Sequence, residues 1–138
     1  MLALLAMTDV KRYTDRAMTR QTIYRQLKTA SQALWPEVTA KLLLDNPEAI
    51  ARSVSVPKEL KFGDFTTNLA MTLAGRVGNN PLTTAELLVE QVSPKLESVF
   101  SSIEILPPGY INFTYSKKWL ERHLATILKD GPAYGRSE

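Results

Sequence analysis

The chain has 138 residues, 44% hydrophobic and 22% charged, with one histidine and no cysteine. That is one domain's worth of ordinary globular polypeptide, which excludes a fibrous repeat or a disordered tail; the missing thiols exclude disulfides, thiolate metal sites and cysteine nucleophiles. The net charge of +3 is unevenly placed: residues 1–35 hold six basic and two acidic side chains (+4) and the remainder 11 against 12 (−1), so bulk charge draws a polyanion to the N-terminal part.

Residues 1–19 read as an N-terminal extension. Met1 to Met7 is apolar, but seven residues with no preceding positive charge are too short for a membrane span and make a poor signal peptide. Thr8 to Ser31, rich in Arg, Thr and Gln, resembles an organellar transit peptide, yet Asp9 and Asp15 interrupt it and the same residues read as the start of a surface helix. A cytoplasmic location with no membrane partner is the expectation, and organellar import is the alternative.

From Arg20 to Leu34 the apolar positions Ile23, Leu27, Ala30 and Leu34 recur at helical spacing, and Trp35-Pro36 ends the helix. A second short helix spans Glu37 to Leu44 and stops at Asp45-Asn46-Pro47. Ser53 to Val56 alternates and is closed by Pro57, which predicts a strand with Val54 and Val56 inward. The spacing predicts a helix over 64–77, capped by Asp64 or Thr66, with Leu69, Leu73 and Val77 in its buried stripe and Gly78-Asn79-Asn80-Pro81 as its stop. Thr83 or Thr84 with Glu86 forms a weak capping box for a third long helix carrying Ala85, Leu88, Val92, Leu96 and Val99, split or kinked at Pro94.

Ile103 and Ile105 alternate with polar neighbours, Pro107-Pro108-Gly109 makes a turn, and Tyr110 to Tyr115 is a second strand. Ile111, Phe113 and Tyr115 share the face that meets the helices; Tyr110, Asn112 and Thr114 share the other. Ser116 caps a final helix with Trp119, Leu120, Leu124, Ile127 and Leu128 on its apolar side, stopped by Gly131-Pro132. The order of elements predicts an α+β fold, a two-layer α/β domain with a small antiparallel sheet packed against helices.

Little in the chain suits catalysis. His123 has no nucleophile at a telling spacing and reads as structural or solvated, the carboxylates form no close pair, and Gly75-Arg76-Val77-Gly78 lacks the spacing of a phosphate loop. On its own residues the chain is not an enzyme, and no metal or cofactor is expected in it. Tyr110 and Asn112 carry the best functional reading, because an aromatic face and a carboxamide at i and i+2 on one strand can stack on a splayed RNA base and bond to its edge. The bland alternative is a ring covering the sheet and an amide bonded locally near the turn. Gly63-Asp64-Phe65-Thr66-Thr67-Asn68 likewise reads either as a simple helix start or as a helix N-terminus whose free amides and Asn68 face a phosphate or sugar.

These blocks together resemble the N-terminal additional domain of arginyl-tRNA synthetase. The family pattern of Gly-Asp-aromatic with a following Asn and Ala, then Gly-x-Asn-Pro, then Pro-Gly-aromatic-aliphatic-Asn stands here as Gly63 to Ala70, Gly78 with Asn80-Pro81, and Pro108-Gly109-Tyr110-Ile111-Asn112-Phe113. The resemblance covers about residues 20–138, with 20–132 as the domain and 133–138 as the start of a linker to a catalytic domain. It implies a four-stranded antiparallel sheet, whose remaining strand is expected between Ala49 and Phe62. It also implies docking on the tRNA elbow, where a D-loop base is held at Tyr110 and Asn112, with Gly109 and Asn68 completing the tRNA-binding set. The implied partners are tRNA(Arg) and the catalytic domain of a parent synthetase, which uses ATP; no His-x-Gly-His or Lys-Met-Ser-Lys-Ser signature occurs in these 138 residues. Pro107 replaces the glycine usual before Pro-Gly, which stiffens the turn that aims Tyr110. A protein-interaction or oligomerisation domain of the same fold is the competing reading, with the basic N-terminal helix as its contact surface.

Overall fold

The computed structural model describes residues 20–122. The N-terminal extension, His123, the apolar positions Leu124, Ile127 and Leu128, the Gly131-Pro132 stop and the linker at 133–138 lie outside the described residues.

Helix α1 occupies residues 20–34 and buries Ile23, Leu27 and Ala30. Pro36 ends it by opening α2 (Pro36–Asp45), at the first helical position where a missing N–H costs nothing. The Thr39 hydroxyl donates to the Ser31 carbonyl at 2.9 Å, tying the start of α2 to the end of α1. Helix α3 (Ala49–Ser53) leads into strand β1 (Val54–Ser55). Val54 is buried as expected, but Val56 is 49% exposed: the strand ends at Ser55, and Pro57 brings no N–H with which to extend the ladder.

A 3₁₀ turn (Leu60–Phe62) precedes strand β2 (Phe65–Thr67). This corrects two expectations. The helix expected from residue 64 begins only at Leu69, as α4 (Leu69–Val77), and the fourth strand lies at 65–67 rather than between 49 and 62. Aromatic and β-branched residues suit a strand, and β2 is ladder-paired on both sides, so its backbone groups are satisfied by partners rather than by a helical turn. Neither Asp64 nor Thr66 caps α4; the Thr67 hydroxyl instead accepts from the Leu69 amide at 3.1 Å.

Helix α5 runs from Pro81 to Leu96 as one element through Pro94. Its cap is Asn80, whose side chain accepts from the Leu82 amide at 2.7 Å, and not the Thr-Glu box. Asn followed by Pro combines the best capping chemistry with a preset first residue, which outweighs the weaker signal three positions on. Val99 falls beyond the helix in the turn that leads to strand β3 (Phe100–Leu106). Strand β4 (Tyr110–Tyr115) follows, and the Ser116 hydroxyl accepts from the Trp119 amide at 2.9 Å to cap helix α6, described over 117–122.

The four strands form an antiparallel sheet in the order β1-β2-β4-β3, so the last strand inserts between the second and the third. Val54, Phe65, Ile111 and Phe113 line the inner face with Phe100, and the buried residues of α1, α4 and α5 cover it. A register irregularity between Phe100 and Ser102 keeps Phe100 on this face three residues before Ile103. Phe65, Phe100, Phe113, Tyr115 and Trp119 form one chain of rings, ending in the parallel Tyr115–Trp119 stack at 4.5 Å. The chain is thus an α+β two-layer domain whose sheet has a second face that, among the described residues, α1, α4 and α5 do not cover. Among the described residues, no helix is long and apolar enough to cross a membrane.

Candidate functional site

The open face is read off the registers. Thr66 is the Cα partner of Asn112 on one side, and Glu104 is its partner on the other, while Ser55 pairs with Thr66. Directly opposite residues point the same way from a pleated sheet, so Ser55, Thr66, Asn112 and Glu104 form a polar row across all four strands. Tyr110 and Asn112 therefore share this face, whereas Asn68, beyond the last paired residue of β2, has left the ladder for the start of α4.

Tyr110 is 42% exposed at the first position of β4, a large ring offered to solvent next to the turn. Asn112 is only 6% exposed, because its central strand is flanked on both sides. Its Oδ1 accepts from the Thr66 hydroxyl at 2.6 Å; Nδ2 has no partner among the described residues and is not sealed from solvent. Asn68 occupies the N-cap position of α4 without a side-chain cap bond and is exposed. The expected anion-binding helix start is thus partly used, since Thr67 takes the Leu69 amide.

Gly109, the fourth expected residue, acts from below. It is buried, and a Cβ there would lie 3.0 Å from Pro81 Cβ and 3.1 Å from Met71 Cγ. The turn therefore docks against α4 and the start of α5, which fixes where the β4 strand begins and where Tyr110 points. The Pro107–Pro108 peptide within that turn is cis. The Asn80-Pro81 block and the Pro108-Gly109 block, well separated in sequence, meet here.

The Gly63-Asp64-Phe65-Thr66-Thr67 block serves β4 along its length. Gly63 has φ +100 and lies against the Phe113 carbonyl, where a Cβ would come within 2.8 Å of its oxygen. The Asp64 amide donates to that carbonyl at 2.8 Å, and its carboxylate accepts from the Tyr115 amide at 2.9 Å. Phe65 enters the ring chain, Thr66 bonds Asn112, and the Thr67 hydroxyl donates to Ser53 Oγ at 2.8 Å. Thr66 and Glu104 are the residues that sequence reasoning missed. Both follow from the strand alternation of β3 and β4 once β2 is recognised as a strand, and its aromatic–Thr–Thr composition was the available signal.

Comparison with known proteins gives the same grouping. Residues 20–115 match the family described as the arginyl tRNA synthetase N terminal domain. Relatives include the arginine–tRNA ligase of Desulforudis audaxviator, 38% identical over 119 residues covering 85% of this chain and 20% of the relative. The arginine–tRNA ligase of Carboxydothermus hydrogenoformans is 38% identical over 93 residues, 67% of this chain and 16% of the relative. That of Dehalococcoides mccartyi is 36% identical over 83 residues, 60% of this chain and 15% of the relative. The chain spans about a fifth or less of the length of these curated relatives. Its motif blocks and these similarities agree: the chain belongs to the arginyl-tRNA synthetase N-terminal domain family.

Proposed function

We propose that this domain binds tRNA(Arg) at the elbow of the molecule and holds one unpaired D-loop base. The Tyr110 ring supplies the stacking platform, the Asn112 amide bonds the base edge, Asn68 adds an amide at the start of α4, and Gly109 sets the aim of Tyr110. ATP-dependent arginylation then belongs to a catalytic domain outside these residues, in the cytoplasmic synthesis of protein. The observation that carries this reading is the placement of an exposed aromatic ring and a nearly buried amide at alternate positions of one strand, on the sheet face that α1, α4 and α5 do not cover. Base stacking and amide contacts need no titrating group, which suits a chain with a single histidine.

The test is a tRNA titration at two salt concentrations with Tyr110→Ala and Asn112→Ala. Stacking on one base is worth about 1–3 kcal/mol, so Tyr110→Ala is expected to weaken binding by roughly five- to 150-fold. In the ligase that carries the domain, both variants raise KM for tRNA more than they lower kcat. Wild-type affinity in both variants contradicts the assignment, and no saturable binding even at low salt returns the domain to protein interaction.

A further inference from the structure

The sheet that faces RNA in this reading is poor in cations. None of the four strands contains a lysine or arginine, and their one charged residue is Glu104, on the face with Asn112. A phosphate backbone laid against that face must find its counter-charges beyond the strand ends. Strand β4 leads straight to them: after Tyr115 and Ser116 the chain turns into α6 with Lys117 and Lys118. Both are exposed, and neither joins an ion pair among the described residues, although Glu121 lies one turn along. Lys61, on the turn that packs against β4, is by contrast paired with Glu59 at 3.2 Å.

The start of α6 is held firmly to the end of β4. The Ser116 amide donates to the Val99 carbonyl at 2.8 Å, and its hydroxyl accepts from the Trp119 amide at 2.9 Å. The Trp119 ring stacks on Tyr115, which stacks in turn on the buried Phe100. Successive helix residues are about 100° apart, so with Trp119 turned to these rings Lys117 stands roughly 200° round, on the side away from them, and Lys118 on the flank. The carboxylate nearest in the fold to this junction, Asp64, is engaged by the Tyr115 amide at 2.9 Å.

We propose that Lys117 and Lys118 form a phosphate-binding subsite at the far end of β4, which holds the RNA backbone of nucleotides other than the one at Tyr110. This rests on the reading of the Tyr110 and Asn112 face as the tRNA-binding surface. Strand β4 runs five steps of about 3.4 Å, so the lysines stand roughly 17 Å or more from Tyr110, beyond the nucleotide stacked there. The contact is to charge alone; it adds affinity and fixes orientation without regard to sequence.

The experiment measures the affinity of the full chain for tRNA(Arg) over a series of salt concentrations. Each phosphate contact contributes about 0.7–0.9 to the slope of log affinity against log salt, so Lys117→Gln with Lys118→Gln is expected to flatten the slope by about 1.4–1.8. Arg20→Gln with Arg25→Gln removes the same charge from α1 and is expected to leave the slope at its wild-type value. Tyr110→Ala, which takes away stacking and no charge, is expected to lower affinity at unchanged slope. A wild-type slope in the lysine variant, or an equal flattening in the arginine variant, overturns the subsite; a weakened Tyr110→Ala in the same series leaves base binding standing. A flattened slope in the lysine variant alone, with wild-type affinity in Tyr110→Ala, supports the subsite and overturns base binding.

Discussion

Gly63 has φ +100 and its α-carbon faces the Phe113 carbonyl, so any side chain meets strain and a steric contact at once. Gly63→Ala is therefore expected to cost about 2 kcal/mol or more, read as a fall in the urea midpoint at unchanged slope. The close contact of Gly109 is with Pro81 and the flexible Met71, which can give. Gly109→Ala is expected to keep the fold with a loss of about 1 kcal/mol and to weaken tRNA binding by displacing Tyr110, seen as a lower affinity with a melting temperature lowered by only about 4–8 °C. Thr67 both donates to Ser53 and accepts from Leu69 while fully buried. Thr67→Val is expected to cost about 1–3 kcal/mol in chemical unfolding, since two buried polar groups lose their partner.

At the scale of elements, α1 and the β3–β4 hairpin were legible because each repeats its period several times: Ile23, Leu27 and Ala30 at helical steps, Ile111 and Phe113 at alternate positions beside a Pro-Pro-Gly turn. Strand β2 was not. Three residues cannot display a period, and the strong apolar stripe of Leu69 and Leu73 follows at once, so local sequence favours extending the helix backwards. Its identity is set by tertiary partners, among them Asn112, 46 residues away. Helix α5 is the converse case, since packing of Leu88, Val92 and Leu96 carries it through Pro94. Pro94→Ala adds an N–H donor in an exposed position and is expected to raise stability by about 1–3 kcal/mol, measured as an increased melting temperature.

At the scale of the whole molecule, α1, α4 and α5 cover one side of the sheet, and among the described residues Tyr110, Asn112, Thr66 and Glu104 stand on the other. The motif blocks that identify the family converge from distant parts of the chain: Asn80-Pro81 supports Pro108-Gly109, and Gly63 to Thr67 brace β4. Tyr110 and Asn112 were legible as a pair from strand alternation alone, whereas the bracing could not be read without the β2–β4 register. The basic residues Arg20, Arg25 and Lys28 belong to α1, whose Ile23, Leu27 and Ala30 join the core on the covered side, away from the face that carries Tyr110 and Asn112. The most direct test of the central claim is chemical probing of tRNA(Arg) bound to the wild-type chain and to Tyr110→Ala. D-loop nucleotides protected by the wild type and released in the variant are the expected result; protection confined to the acceptor or anticodon arm, or a D-loop footprint unchanged in Tyr110→Ala, would contradict the account.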